Sequence, residues 1–588
     1  MEDLRNWMII MIILFSMVHP YELCSIEASQ SNASSMVQVS YEIWARELTD
    51  LLDQDNILFS EPEIVKVPES WSVEAGIDRV NVTCRTRGKC IVRLGITEVD
   101  EGREYAVTAL FLGWNGFVDV KGGLIVEVWA RWILNTGEKV ADRILVVSGS
   151  TPVLKRFTNL TRAPEKAERV ELYLIVACPQ FKTTTWICIE SPRLIPLEGE
   201  SLWRQVPLLE KRKGEYAGVL DDIEYLLKIE NKTNPAKITL DIENLKNEER
   251  AIDIAIVLPL NSENWLFWIN PRVAKPAENE VYAETTNSLV SGGYLPVSLY
   301  PLAAMSNSEV TLGFSIPLDK PEICIFGYMQ GMGFGAFFPV GLTEAGTKHS
   351  KARIEAELYI AEKGGMRRIM ELYMEKHVEW FSTNIEFPLT AGWEYSKYGL
   401  TFYQGSFQYA GTARKAAEIL EKTGVYIAQY VLPWEYEPIT KVSIDKNPPS
   451  YWYIWSVVEE YSTTHPPQGF KALTSLHATP VDGDGFRIVA NLLRGPSYRP
   501  EEWVPRIPMN PDPDLPGYNV WNYTVNLLSL ALENARTYGL TIDGVELDNF
   551  MARSGCLDLR REAIEALDWN LVYDRTRLSQ QSIFPTRR

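Results

Sequence analysis

The stretch Ile542–Phe550, IDGVELDNF, places three carboxylates within six residues: Asp543, Glu546 and Asp548. On an extended strand successive side chains point to opposite faces. Gly544, Glu546 and Asp548 therefore share one face, while Val545 and Leu547 share the other. Two acids on one face, backed by apolar packing on the other, suit acid–base or nucleophilic work at a strand end. Cleavage of a glycosidic bond asks for two carboxyl groups, about 5 Å apart when configuration is retained and farther apart when it is inverted. On that chemistry Asp548 is the candidate nucleophile and Glu546 the assisting carboxylate. The competing reading is a strand-end Asp that caps the following loop.

Other residues suit the walls of a sugar pocket. Trp393-Glu394 and Trp434-Glu435 each couple an aromatic platform to a carboxylate at or just past an expected strand end, with ring faces for C–H groups and acids for hydroxyls. Asp543 and Asn549 flank the central pair, and Tyr403, Gln404, His477 and Asn510 are weaker candidates. No metal ligands and no cofactor are expected. DGDGFR (Asp482–Arg487) opens like a calcium loop, but its twelfth position is Leu493 where a bidentate Glu is needed, so it reads as a hairpin turn. GMGFGAFF sits inside a β-rich block with no helix after it and does not cradle phosphate. With five histidines and no His-Glu-x-x-His, zinc chemistry is a poor fit.

These residues need elements to hold them, and the region 387–588 supplies an alternating pattern. LTAGWEY, VYIAQYVLPWEYEP, GFRIVANLL, IDGVELDNF and WNLVYD read as strands, while GTARKAAEILEKTG, YWYIWSVVEEYSTTH and NYTVNLLSLALENARTYG read as helices. Strand–helix repetition predicts parallel βα units of the TIM-barrel type, with the site at the strand C-termini. About 200 residues and four or five strands fall short of the roughly 250 residues and eight strands of a closed barrel. The expectation is an incomplete, C-terminally truncated barrel. Upstream, 60–198 carries short β-branched runs between turns, the pattern of a sandwich, and 215–365 carries a second such block. MRRIMELYMEKHVEWF, in the linking region 366–386, switches to helical period, with Ile369, Leu372, Tyr373 and Val378 on one side. The fold class expected is thus two β-sandwich domains followed by an incomplete α/β barrel.

APEKAERVELYLIV (163–176) followed by TTWICIESPRL (184–194) resembles the jelly-roll carbohydrate-binding modules appended to polysaccharide-degrading enzymes. Trp114, Trp129 and Trp132 are its candidate stacking rings, set against the plainer reading of a Trp in a core. SLYPLAAMSNSEVTLGFSIPLDKP (298–321) resembles the supersandwich that precedes the catalytic barrel of several glycoside hydrolases. The Gly-hydrophobic-x-hydrophobic-Asp strand after a long helix resembles the fourth barrel strand of α-galactosidase- and α-glucosidase-like retaining hydrolases, over roughly 215–573. That resemblance carries the nucleophile to Asp548 and leaves their acid without a counterpart. Chitinase-like barrels match less well, because their proton-donating Glu falls on Phe550.

Composition bounds the remaining classes. Hydrophobic residues make up 46% and charged residues 23%, values of an ordinary globular chain. With 58 basic against 77 acidic residues the net charge is −19, which argues against a nucleic-acid partner. Trp7–Val18 is a twelve-residue, mostly apolar run, short for a bilayer span and right for an export signal, so residues 1–25 read as a signal peptide or an N-terminal anchor and the protein as secreted or cell-surface. Cys84/Cys90 and Cys178/Cys188 could each close a small loop, or stay as buried thiols. The expected function is an exported glycoside hydrolase-like protein acting on poly- or oligosaccharides with retention. The alternative is a non-catalytic glycan-binding surface protein.

Overall fold

The computed structural model describes residues 41–48, 56–57, 62–76, 78–113, 125–147, 155–178, 185–231, 233–277, 281–284, 300–320, 322–382, 391–392, 402–423, 425–446, 448–464, 468–481, 485–496, 498–547, 558–573 and 583–584. Trp7–Val18 lies outside this set. Among the described residues no helix is long and apolar enough to cross a membrane.

The first sandwich packs two five-stranded antiparallel sheets face to face. One runs in the order Glu63–Lys66, Gly88–Glu98, Ala167–Cys178, Ile125–Leu134, Lys139–Val147; the other in the order Ser72–Gly76, Arg79–Cys84, Thr185–Pro196, Glu104–Gly113, Lys155–Arg162. Period-two alternation builds it: Val126, Val128, Ala130 and Trp132 point into the core, and Glu127, Trp129 and Arg131 point out. Cys84, Cys90, Cys178 and Cys188 are buried free thiols, so the loop-closing bridges are not formed.

The second sandwich packs a six-stranded sheet on a nine-stranded one. Its strand Glu42–Glu47 precedes the first sandwich in the chain and pairs with Arg250–Leu258. The first sandwich is therefore inserted between two neighbouring strands of the second, Glu42–Glu47 and Arg204–Gln205. The glycine-rich GFGAFFPVGL is the strand Gly333–Leu342, buried throughout. A Cβ at Gly335 would collide with the Ile256 carbonyl of the neighbouring strand, so close backbone approach, not phosphate binding, explains the glycine.

The helix Gly365–Lys376 lays Met366, Ile369 and Tyr373 on the nine-stranded sheet. It breaks at His377 and resumes as the single turn Val378–Phe381, so the expected helix is present with an interruption. Val378, expected on the buried side, is exposed in that second turn, and His377 turns inward to Glu357.

The last region contains four parallel strands in the order Ala391–Gly392, Phe402–Gly405, Tyr426–Val431, Gly544–Leu547. Among the described residues the expected barrel is not shown; this region holds a four-stranded parallel sheet. Two expected barrel strands go elsewhere. GFRIVANLL supplies Asn491–Arg494, which pairs antiparallel with Trp503–Pro508 in a small separate sheet. WNLVYD supplies Val572–Tyr573, whose neighbour Leu571 bridges to Gly341 on the second sandwich. Leu571 and Tyr573 are buried there, so an apolar edge captures them. The helices Ala410–Thr423 and Val520–Thr537 form where their periodicity predicts them. Both cover one face of the parallel sheet, through Ala413, Ala416, Ala531 and Ala535 against Tyr403 and Ile427.

Candidate functional site

Register decides what the parallel sheet presents. Gln404 pairs with Ala428, Ala428 with Gly544, and Tyr430 with Glu546, so these five side-chain positions share one face. Val545 and Leu547 fall on the other, clustered with Val431, Tyr523 and Leu527 beneath the Val520–Thr537 helix. This is the division that strand alternation predicts. On the face away from the helices Gln404 and Ala428 are buried, whereas Tyr430 and Glu546, nearer the strand C-termini, are partly exposed. The face therefore opens toward the end at which parallel sheets carry their sites. Asp548 and Asn549 lie outside the described residues, as do Trp393 and Glu394.

The other sequence candidates are placed away from this face. Tyr403 points to the helices, almost fully buried and 6.3 Å centroid to centroid from Phe407; alternation gives the inner position to Gln404 instead. Asp543 sits at the N-terminal end of its strand. Its N–H donates to the Ile427 carbonyl at 2.7 Å and its Oδ2 accepts from the Ile427 N–H at 2.8 Å, which pins the strand start. Glu435 is fully buried in the antiparallel sheet, its Oε1 3.1 Å from Arg506 Nε, which also donates to Glu437 Oε1 at 2.8 Å. Trp434 packs against the core of that same small sheet.

His477 and Asn510 do come together, around a residue the sequence reading missed. Asn510 Nδ2 donates to Asp558 Oδ2 at 2.9 Å, and Arg560 Nε donates to Asp558 Oδ1 at 2.9 Å while its Nη1 reaches the His477 carbonyl. Asp558 is buried and its oxygens are engaged. The cluster clamps the segment after the Gly544–Leu547 strand to the end of the Gln468–Ala478 helix. The signal available in the sequence was the Asp-x-Arg spacing of DLR, too common to single out.

A second face carries more complete geometry. On the outer side of the first sandwich, Tyr173 stands beside Trp129 on one neighbouring strand and Arg93 on the other, and Glu171 stands beside Arg131. Glu171 is buried; its Oε2 accepts from Arg131 Nε at 2.6 Å and from the Tyr173 hydroxyl at 3.0 Å, and Arg93 Nη1 lies 3.5 Å from its Oε1. Burial pushes the Glu171 carboxyl up, but the hydrogen bonds from Arg131 and Tyr173 and the two arginine charges outweigh it and hold it below its ordinary value. The Arg131 guanidinium lies 4.6 Å over the Tyr173 ring. Trp129 Nε1 donates to Glu127 Oε2 at 2.8 Å, and Arg143 Nη1 donates to Glu127 Oε1 at 3.1 Å.

The result is a partly exposed indole with its edge tethered, set among carboxylates and guanidinium groups on the outer face of the sheet. Indole faces suit the C–H side of a sugar ring, and the surrounding charged groups suit its hydroxyls. Of the two described stacking candidates, Trp132 is core, 1% exposed, and Trp129 is surface; Trp114 lies outside the described residues. Tyr173, Arg131 and Glu171 were missed by the sequence reading, although the alternation in IVEVWARWIL was the signal that separates the two tryptophans.

No protein-family model matches the chain, and no curated protein does. Among solved structures, it is similar to a xylan-binding domain of Paenibacillus barcinonensis Xyn10C, at 7% identity and TM-score 0.17, covering 26% of this chain and 94% of that one. It is similar to the galactosidase domain of the α-galactosidase–sucrose kinase AgaSK, at 8% identity and TM-score 0.27, covering 58% of this chain and 51% of that one. It is also similar to the VP2 protein of infectious bursal disease virus, at 8% identity and TM-score 0.13, covering 30% of this chain and 39% of that one. Likenesses this slight decide nothing about activity, and the side chains must carry it.

Proposed function

We propose that this protein acts on glycans, holding a poly- or oligosaccharide on the outer face of the first sandwich. The observation that carries this is the Trp129 platform, tethered by Glu127 and bordered by the Arg131–Tyr173–Glu171 network. Each group is fixed before ligand arrives, so little side-chain entropy is lost on binding. The test is affinity electrophoresis through gels cast with soluble polysaccharides. Wild type is expected to be retarded in at least one gel, and Trp129→Ala to bind about tenfold more weakly, ~1.4 kcal/mol. Equal migration of Trp129→Ala and wild type in the gel that retards the protein would remove this face from the proposal.

A second reading, retaining glycoside hydrolysis at the parallel sheet, is favoured by one observation: Glu546 lies on the helix-free face, beside Tyr430 and toward the strand C-termini. In this reading Asp548 attacks the anomeric carbon, Glu546 assists, Trp393, Glu394 and Asn549 line the rim, and the proton donor is unassigned. Asp548→Asn should lower glycosidase turnover by several orders of magnitude while gel retardation stays unchanged. Turnover at the wild-type rate in that variant means that Asp548 is not the nucleophile. Export through Trp7–Val18 belongs to the same proposal, because polysaccharides are extracellular substrates for most cells.

A further inference from the structure

The antiparallel insertion between the third and fourth parallel strands carries an open-sided cavity of about 620 Å³, lined by Val442, Asp445, Lys446, Pro449, Ser450 and Tyr453. It is a shallow surface depression, open to solvent along most of its rim. The walls are fixed. Ile444 N–H donates to the Glu501 carbonyl at 3.0 Å, Trp503 N–H to the Val442 carbonyl at 2.9 Å, and Trp503 Nε1 to the Lys446 carbonyl at 3.1 Å. These bonds hold the 443–446 turn against the Trp503–Pro508 strand. Across the cavity the Tyr453 hydroxyl donates to the Thr440 carbonyl at 3.1 Å, and its N–H donates to Ser450 Oγ at 3.2 Å, so a ring that is 44% exposed is tied at both ends.

Two charged groups at this cavity remain unused. The Asp445 carboxylate and the Lys446 ammonium are exposed, and neither has a hydrogen-bond or ion-pair partner among the described residues. Opposite charges side by side penalise a ligand of either sign and favour an uncharged one rich in hydroxyls. We propose that this cavity is a second saccharide subsite, specific for a neutral sugar: Tyr453 carries the C–H face of a ring, Asp445 accepts from its hydroxyls, and Lys446 and Ser450 donate to them. The subsite rests on the glycan reading above but uses none of its residues.

The experiment is affinity electrophoresis of the full chain in neutral polysaccharide gels, comparing wild type, Trp129→Ala, Tyr453→Ala and the double variant Asp445→Ala/Lys446→Ala. Folding is checked by thermal melting. Tyr453→Ala and the charge-pair variant should each raise the dissociation constant about threefold to tenfold, the span of one lost aromatic contact. The charge-pair variant alters only exposed turn side chains, so it tests the subsite even where Tyr453→Ala fails to fold. If Trp129→Ala loses retardation while both cavity variants keep it, the subsite is overturned and the first-sandwich reading stands. If wild type is retarded in no gel, both fall together.

Discussion

Trp129 and Trp132 sit on one strand, three positions apart, and their environments give them opposite work. Trp132 is enclosed by the first sandwich and packs 6.4 Å from Tyr105, ring to ring. Trp132→Ala should therefore cost ~3–5 kcal/mol of stability, the price of a large core cavity. Trp129→Ala removes a partly exposed ring and should cost less than about 1 kcal/mol. Urea unfolding of the two variants separates them, and similar losses in both would contradict the face assignment. The distinction also governs Glu171. Its carboxylate ties Arg131 and Tyr173 into a rigid surface, and Glu171→Gln keeps the size while removing the charge those groups surround. That variant should loosen glycan retention without the collapse expected of Trp132→Ala.

The elements are joined by similar small clusters. At the end of the Gly365–Lys376 helix, His377 Nε2 lies 3.0 Å from Glu357 Oε2, which also accepts from the Tyr359 hydroxyl at 2.8 Å and from Ser315 Oγ at 3.3 Å. Burial raises the Glu357 carboxyl, but the hydrogen bonds from His377 and Tyr359, the His377 charge and the Ser315 bond outweigh it, and the group titrates below its ordinary value. A depressed carboxyl stabilises the fold above its unfolded value near pH ~4.3, and that stability is lost as pH falls through the folded value. Glu357→Gln should lower the melting temperature at neutral pH and flatten its fall in acid. A variant with the wild-type acid profile would show that this cluster does not set it. The cluster was illegible in the sequence because its four members are spread from Ser315 to His377 and meet only through the Ser315–Glu357 strand pairing and the docking of the helix that ends at His377. Strands and helices were legible wherever period alone defines them, as in IVEVWARWIL and NYTVNLLSLALENARTYG. Partner choice was not, since WNLVYD and GFRIVANLL have strand periodicity but nothing in that period names the edge they join. For the parallel sheet, alternation sufficed to separate Glu546 from Val545 and Leu547, and to show that Tyr403 and Gln404 must part company; which of the two faces inward depended on register.

At the scale of the whole molecule, the insertion of the first sandwich into the second concentrates charge at their junction. Arg46, 6% exposed, donates through Nη1 to Glu104 of the first sandwich at 2.8 Å, and through Nε and Nη2 to Asp253 of the second at 3.0 and 2.9 Å. Its guanidinium lies 4.4 Å from the centre of the Trp203 ring, and the Tyr573 hydroxyl donates to the second oxygen of Asp253. Around them Leu48, Ala106, Ile195, Leu197, Ala251 and Tyr573 form one apolar cluster drawn from both sandwiches and the C-terminal segment. A buried charge with its partners removed is far costlier than a pair never built. Arg46 and Asp253 face each other on paired strands of the second sandwich, so the bond that crosses between the sandwiches is the one to Glu104. Glu104→Gln removes that charge partner while the Asp253 pair stays, and should cost about 1.5–3 kcal/mol, the span of a hydrogen bond to a charged group. Because the lost contact lies between the sandwiches and not within either core, the loss should appear as uncoupling. Scanning calorimetry of Glu104→Gln is expected to resolve two transitions where wild type has a shared one, with the first sandwich released at the lower temperature. Tyr573→Phe, which deletes one hydrogen bond and keeps the ring in its cluster, should shift the shared transition by a few degrees without splitting it. A single unshifted transition in Glu104→Gln would mean that the apolar cluster alone couples the domains, and that Arg46 merely fills a junction already closed.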